Sequence, residues 1–434
     1  MMETKLASIA KRAKQHPKEP FTALYHHLNE ELLRECSREM AANKATGIDG
    51  ITKANYEEKL TENLSGLVSR LKNHQYKPQP VRRVNIPKAD GKSKRPLGIL
   101  TYEDKLVQLA LNKIIEPIFE ENFLDCSYGF RPSRNCHDAL KQLHNIIQRG
   151  KTNYVVDVDI RGFFDNVDHQ WLMRCLEQRI KDPNIKRLIV RMLKAGIMEN
   201  NQWEPSTRGT IQGGNVSPLF GNIYLHYVLD LWFELIIKKN CRGEAKMVRY
   251  CDDFVCCFQH KEEAIKFYQE LEQRLAKFGL EISAEKSKVI AFGRFAAQKC
   301  YKEGKKKPDT FDFLGFTHYC SKSRNGNFRV KRKTSRKKFN AKVNAFNEWI
   351  KEFRTLDKEQ IFRTVQKKLI GHYHYYGITD NINMMESYKF AITKLLFKWL
   401  NRRSQRRSYT YEKFNQFLKW NPLPEPQIYV NIYG

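Results

Sequence analysis

The sequence is short of carboxylates. Asp and Glu number 48 against 77 Lys and Arg, a formal net charge of +29. That excess is far above what solubility needs and implies a polyanionic partner. The ten cysteines, at 36, 126, 136, 175, 241, 251, 256, 257, 300 and 320, contain no C-x-x-C pair, so no zinc site or disulfide framework is signalled. Several lie inside apolar runs, which suits buried thiols in a reducing compartment. No run of about 18 apolar residues exists, so no helical membrane span and no membrane partner is expected. Residues 1–20 are polar and charged without an apolar core, which does not read as a signal peptide. No internal repeat is visible.

What is present is enough for a core. The 434 residues allow two or three domains, and 41% are hydrophobic. The 20 Tyr and 26 Phe, interleaved with basic residues, suit nucleic acid, where phosphates meet Lys and Arg and bases stack on rings.

Periodicity predicts helices over 21–42 and 54–73, with the loop Lys44 to Gly50 between them. A basic hairpin follows, from Lys77 to Ile86, turning at Ala89-Asp90-Gly91 and returning through Lys94 to Gly98. Helices are expected at 102–123, 135–148, 168–180, 183–195, 217–238 and 261–278, the last stopped by Gly279. Strands are expected at 153–160 and 311–316, and a Lys-rich loop at 299–310. Beyond 320 the composition shifts to 25 Lys and Arg against 8 Asp and Glu, a net of +17. Helical patterns at 335–355, 358–376 and 384–403 make this a separate basic helical domain.

The most informative stretch is Val248-Arg249-Tyr250-Cys251-Asp252-Asp253-Phe254-Val255. Two adjacent carboxylates between apolar runs predict a β-hairpin with charge at its tip. Burying such a pair is costly without cations. Two divalent metals would offset that cost, and two metals serve template-directed nucleotidyl transfer. A second acidic centre lies in Tyr154-Val155-Val156-Asp157-Val158-Asp159-Ile160. Asp157 shares the face of Asp159 by the two-residue repeat of a strand, and reads either as a structural acceptor or as a ligand. Asp165 reads as a turn or cap residue.

These blocks resemble the group II intron-encoded reverse transcriptases, or maturases, over nearly the whole chain. Tyr250-Cys251-Asp252-Asp253 looks like the family's Tyr-Ala-Asp-Asp box, with Cys251 in place of alanine. Phe163-Phe164-Asp165-Asn166-Val167-Asp168-His169 is similar to the first catalytic block. Thr210-Ile211-Gln212-Gly213-Gly214 resembles the Thr-Pro-Gln-Gly-Gly block, with Ile211 in place of proline. Tyr128-Gly129-Phe130-Arg131-Pro132, Thr46-Gly47-Ile48-Asp49-Gly50 and Gly371-His372-Tyr373-His374-Tyr375-Tyr376 also match, in the family's order.

The resemblance implies an α+β right-hand polymerase. Residues 1–75 would be an N-terminal extension and the start of the fingers. Residues 76–320 would form fingers and palm, an antiparallel sheet backed by helices. Residues 321–434 would form a basic helical thumb, the X domain, with a short C-terminal segment. It implies RNA-directed DNA synthesis with Asp159, Asp252 and Asp253 as catalytic carboxylates. Two Mg²⁺, or Mn²⁺ as substitute, would be held by these and by the Ile160 carbonyl. Lys88, Arg95, Gln212 and Lys286 would meet the incoming dNTP, and the Phe164 ring would reject a ribose 2′-hydroxyl.

Nucleic acid would be met by Gly47, by Lys331, Arg332, Lys333, Arg336 and Lys337, and by Arg402, Arg403, Arg406 and Arg407. Tyr128, Phe130 and Arg131 read equally as packing or as RNA contacts. Tyr373, Tyr375 and Tyr376 read as core or as a stacking platform. The implied partners are a group II intron RNA, an RNA template with a DNA or RNA primer, dNTPs and target DNA, in the cytoplasm and at the nucleoid. The oligomeric state stays open. No His-Asn-His nuclease domain follows the thumb-like region, so the compact form of the family is expected. A free-standing repair or defence enzyme, an inactive RNA-binding maturase and an RNA-dependent RNA polymerase are the alternatives. The retained carboxylates argue against the second and Phe164 against the third.

Overall fold

The computed structural model describes residues 2–87, 94–200, 202–403 and 409–433. It is a mixed fold of helices and three sheets. In chain order the strands are β1 (Val81–Pro87), β2 (Lys94–Ile99), β3 (Tyr154–Asp159), β4 (Ile197–Glu199), β5 (Gln202–Glu204), β6 (Ala245–Tyr250), β7 (Asp253–Phe258), β8 (Lys288–Ala291), β9 (Phe311–Phe313), β10 (Phe316–Lys322) and β11 (Phe328–Thr334). They form sheets ordered β2-β1-β4-β5, β6-β7-β3-β8 and β11-β10-β9. Among the described residues the chain divides into two compact units. The first takes in 2–87, 94–139 and 156–289, the second 140–155 and 290–433.

In the first unit the expected helix 102–123 is Tyr102–Glu120, capped by Thr101, whose hydroxyl accepts from the Asp104 N–H at 3.3 Å. Leu106, Leu111, Ile114 and Ile118 on it are fully buried, each stabilising the fold by about 1.5–3 kcal/mol. The expected helix 21–42 begins only at Glu30, where Asn29 caps it. Before it Tyr25–His27 form a single 3-10 turn, at whose start Asp182 Oδ2 accepts from the N–H groups of Leu24 and Tyr25 at 2.6 and 2.9 Å. The stretch 54–73 is two helices, Lys53–Glu57 and Leu60–Lys72. Residues Met2–Gln15 form an N-terminal helix that the sequence reading did not foresee. The expected helix 217–238 is α-helical over Ser217–Leu225, then π-wound over His226–Asp230 and Phe233–Ile237.

In the second unit the antiparallel β10–β11 hairpin pairs Phe316 with Thr334 through Lys322 with Phe328. The expected break at 320/321 falls inside β10, and the first half of the basic run Lys331 to Lys338 is strand, ahead of the helix expected from 335. The Lys-rich 299–310 region opens with a helix, Ala296–Lys302. Three long helices follow, Arg336–Phe353, Lys358–Tyr376 and Ile382–Leu400, and then Tyr411–Trp420. Tyr373 and Tyr376 are core residues, and the Tyr375 hydroxyl donates to the Leu314 carbonyl at 2.9 Å. No helix of the described residues is long and apolar enough to cross a membrane.

Candidate active site and nucleic-acid surfaces

The hairpin β6–β7 pairs Tyr250 with Asp253, so the turn consists of Cys251 and Asp252 alone. A two-residue hairpin turn needs left-handed backbone, usually from Asn or Gly. Here Cys251 adopts it, with φ of 59°. The flanking apolar strands are buried along Val248 and Phe254 to Phe258, which anchors the turn.

β3 lies beside β7 and ends at Asp159. The N–H of Ser283 donates to the Asp159 carbonyl at 2.8 Å, and that of Arg161 to the Glu281 carbonyl at 2.8 Å. These bonds flank an antiparallel bridge between Ile160 and Ile282. In such a pair the bridged residue's own carbonyl points the other way, toward β7. The Ile160 carbonyl is therefore directed to the side of the Asp252 turn.

Burial raises the Asp252 carboxyl above the usual carboxylate range, and the charge of Asp159 raises it further. Its own backbone N–H, the Cys251 thiol donating to it and the Arg95 guanidinium pull the other way. Asp159 is half exposed and takes the Lys286 ammonium at 2.7 Å. Asp159, Asp252, Lys286 and Arg95 thus share one electrostatic cluster. Asp253 opens β7 beside it. Among the described residues no three His, Cys, Asp or Glu side chains form a ready metal cage. Two carboxylates and a carbonyl nevertheless fit Mg²⁺, which commonly takes one or two carboxylates together with substrate phosphates.

Phe164 is half-buried, its ring edge-on to Phe163 at 5.2 Å. Its carbonyl accepts the Thr210 N–H at 2.7 Å, and the Gln212 carbonyl accepts the Gly98 N–H at 2.7 Å. Gln212 therefore ties its loop to β2. Both sides line a cavity of about 310 Å³ with Arg83, Asp165, Arg208 and Thr210 around it. Gly213 needs its identity: φ is 107°, and a Cβ would meet the Gly98 carbonyl oxygen at 3.0 Å. Gly47 is required by packing, since a Cβ would lie 2.5 Å from the Thr101 nitrogen. Lys88 and Arg406 lie outside the described residues, as do Arg407 and the Ala89-Asp90-Gly91 turn.

Two assignments to nucleic acid are corrected. Arg131 is buried, with Nε and Nη2 on the Glu120 carboxylate at 2.7–3.1 Å and Nη1 on the Leu124 and Ser127 carbonyls at 2.7 and 2.9 Å. All three guanidinium nitrogens serve the fold, not a phosphate. Arg332 is 0% exposed, facing inward on β11 with Nη2 on His144 Nδ1 at 2.9 Å. Strand alternation divides the basic run: Arg332 points in, while Lys333, Arg336 and Lys337 are exposed and Lys331 is partly so. Arg403 donates to the carbonyls of Thr355 and Leu356, at 3.3 and 2.7 Å. Arg402 is exposed, its guanidinium over the Trp399 ring.

Sequence reasoning passed over Arg249, fully buried next to the acidic turn. The signal was there, a cation between the apolar pair Met247-Val248 and the acidic turn. It also passed over Ser287, whose hydroxyl accepts the Asp159 N–H at 3.1 Å.

The profile of the family described as reverse transcriptase (RNA-dependent DNA polymerase) matches residues 86–318. The group II intron-encoded protein LtrA of Lactococcus lactis subsp. cremoris is 35% identical over 304 residues, covering 67% of this chain and 50% of LtrA. The protein YkfC of Escherichia coli K12 is 31% identical over 336 residues, covering 69% of this chain and 83% of YkfC. The mitochondrial nuclear intron maturase 1 of Arabidopsis thaliana is 30% identical over 131 residues, covering 28% of this chain and 18% of that protein. The chain belongs to the reverse transcriptase family, in its group II intron-encoded, LtrA-like branch. It spans about half the length of LtrA.

Proposed function

We propose that the chain is an RNA-directed DNA polymerase that extends a primer on an RNA template, and that it binds a parent group II intron RNA as a maturase assisting splicing and retrohoming. One observation carries the reading. Two strand ends bring Asp159 and the half-buried Asp252 into one cluster with Lys286 and Arg95. A partly desolvated carboxylate facing a second one is kept ionised by nearby cations.

In this reading the β6-β7-β3-β8 sheet is the palm, the β2-β1-β4-β5 sheet belongs to the fingers and the long helices after 335 form the thumb. Asp159, Asp252, Asp253 and the Ile160 carbonyl would hold two Mg²⁺, with Mn²⁺ as a substitute. When bound, the metals supply an activated primer 3′-hydroxyl and stabilise the leaving pyrophosphate. Arg95 grips the triphosphate as a bidentate fork, with Lys88 as a point charge. The Phe164 ring bounds the sugar and selects dNTPs, and Gln212 positions the nucleotide. Lys331, Lys333, Arg336, Lys337 and Arg402 meet phosphates of the template–primer and of structured RNA, with little sequence information. Target DNA would be met in the same sequence-independent manner.

The test is primer extension on an RNA template with dNTPs and Mg²⁺, wild type beside Asp252→Ala. Extension by wild type and none by the variant is expected. Extension by neither would remove the polymerase reading and leave RNA binding alone.

A further inference from the structure

Beneath the acidic turn lies a polar network with no access to solvent. Arg249 and Asp230 are both 0% exposed. Arg249 Nε donates to Asp230 Oδ1 at 2.7 Å, and Nη2 donates to Asp230 Oδ2 at 2.5 Å. Nη1 donates to Asn222 Oδ1 at 2.9 Å and to the Cys251 carbonyl at 2.9 Å. Asn222 in turn donates its Nδ2 to the Gly129 carbonyl at 2.7 Å. The backbone of Arg249 is held by one neighbouring segment, its N–H donating to the Cys126 carbonyl at 2.7 Å and its carbonyl accepting the Tyr128 N–H at 2.9 Å.

The helix that supplies both acceptors is shaped for the purpose. Asn222 lies in its α-helical part and Asp230 ends the first π-wound stretch. In a pure α-helix, residues eight apart stand roughly 80° out of register, at 3.6 residues per turn. The wider i→i+5 winding turns less per residue and brings the two back toward one face. That face meets Arg249.

A buried ion pair is a weak source of net stability, because two desolvated charges largely cancel their own attraction. Such pairs are better at selecting one geometry, and here the geometry selected is next to the catalytic carboxylate. Cys251 sits in the left-handed region, unfavourable for a residue with a Cβ. Something must hold it there, and the bond from Arg249 to its carbonyl does so. Asp252 is the only other residue of the two-residue turn, so the Cys251 backbone sets its direction.

We propose that Arg249, clamped by Asp230 and Asn222, is a positioning residue for the polymerase site: by holding the Cys251 carbonyl it keeps the turn in the one conformation that presents Asp252 alongside Asp159. The proposal rests on the polymerase reading above and adds to it a buried lever outside the metal ligands.

Arg249→Lys keeps the charge and loses the fork. It is compared with wild type by thermal unfolding, by Kd for template–primer, by single-turnover nucleotide addition across a Mg²⁺ titration, and by Mn²⁺ binding followed by electron paramagnetic resonance, with Asp252→Ala as the background. The expected result is a folded variant with unchanged template–primer Kd, addition slowed about tenfold or more, a higher Mg²⁺ requirement and weakened Mn²⁺ binding. Cys251→Gly, which adopts the left-handed region freely, should restore part of the rate in the Arg249→Lys background. A folded variant with wild-type rate, Mg²⁺ requirement and Mn²⁺ binding overturns the proposal. If Arg249→Lys does not fold, Asp230→Asn is read by the same measures and with the same consequences. If wild type itself does not extend primers, the polymerase reading has failed. Mn²⁺ binding then still decides the positioning role, because it needs no turnover.

Discussion

The Lys286 ammonium lies 2.7 Å from Asp159 Oδ2, although the two residues are 127 positions apart in the chain. The pairing is made by the Ile160–Ile282 bridge, which lays the segment carrying Lys286 along the end of β3. In the proposed polymerase reading Asp159 holds a metal and Lys286 meets the triphosphate, so the Lys286 cation competes with the one and attracts the other. Lys286→Ala should therefore have effects of opposite sign. Mn²⁺ binding without nucleotide should tighten, while KM for dNTPs should rise severalfold. Movement of both in one direction would show that Lys286 serves only one of these partners. Both groups are about half exposed, 62% and 46%, so added salt should shrink the difference.

The Phe164 ring is fixed by Phe163 and by Gly221, where a Cβ would lie 3.4 Å from Phe164 Cε1. A ring so held can act as a wall against the sugar. Phe164→Val should lower the ratio of kcat/KM for dNTPs over rNTPs by roughly 10- to 200-fold, mostly through better rNTP use. An unchanged ratio would return Phe164 to the role of an ordinary core side chain.

Legibility followed side-chain pattern. The acidic turn and β3 could be read because charge stood out against buried apolar strands. The helix stop at Gly279 could be read because its φ of 73° suits glycine. What could not be read were charges facing inward. Arg131 and Arg332 look like phosphate contacts in a basic chain, and only their partners, Glu120 and His144, show otherwise. The β10–β11 hairpin was hidden by its charged residues, among them Lys322, Lys331 and Lys333, a type depleted in strands. The segment 21–28 has helical spacing but forms only a 3-10 turn, its Leu24 and Tyr25 N–H groups going to Asp182, a residue 158 positions from Leu24. The π-wound stretches leave no mark in the sequence, since they are imposed by what the helix must reach.

His372 provides a pH-dependent test in the second unit. Its ring is buried and stacks on Tyr388 at 3.7 Å, with neither ring nitrogen bonded among the described residues. Burial, reinforced by the nearby Lys342 charge, lowers its pKa to about 3. The unfolded chain takes up the proton near 6.5, the folded chain only near 3. A lowered folded value means that the stability is complete above about 6.5 and is lost as pH falls toward 3. His372→Phe keeps the stack and removes the titration. Its Tm should fall less than that of wild type between pH 6.5 and 4. Parallel Tm profiles would mean that the ring is solvated or paired in solution.

Gly129 and Gly66 make opposite predictions from the same substitution. Gly66 lies on the exposed face of the helix Leu60–Lys72, and a Cβ there would meet nothing within 4 Å. Gly66→Ala should stabilise the protein by about 0.5–1 kcal/mol through backbone entropy, and leave extension unchanged. Gly129 is pressed against the acidic turn. A Cβ there would lie 2.6 Å from the Cys251 nitrogen and 3.0 Å from the Tyr250 carbonyl carbon. Both are backbone atoms, so no side chain can swing aside, and the turn itself must move. Overpacking of this kind costs about 1–3 kcal/mol of stability. A shift of about 1 Å at reacting groups can cost on the order of 100-fold in rate. Gly129→Ala should therefore lose far more activity than stability, with template–primer Kd little altered. If its extension rate falls only in step with its folded fraction, the contact with Cys251 is relaxed in solution and the turn is not held from that side.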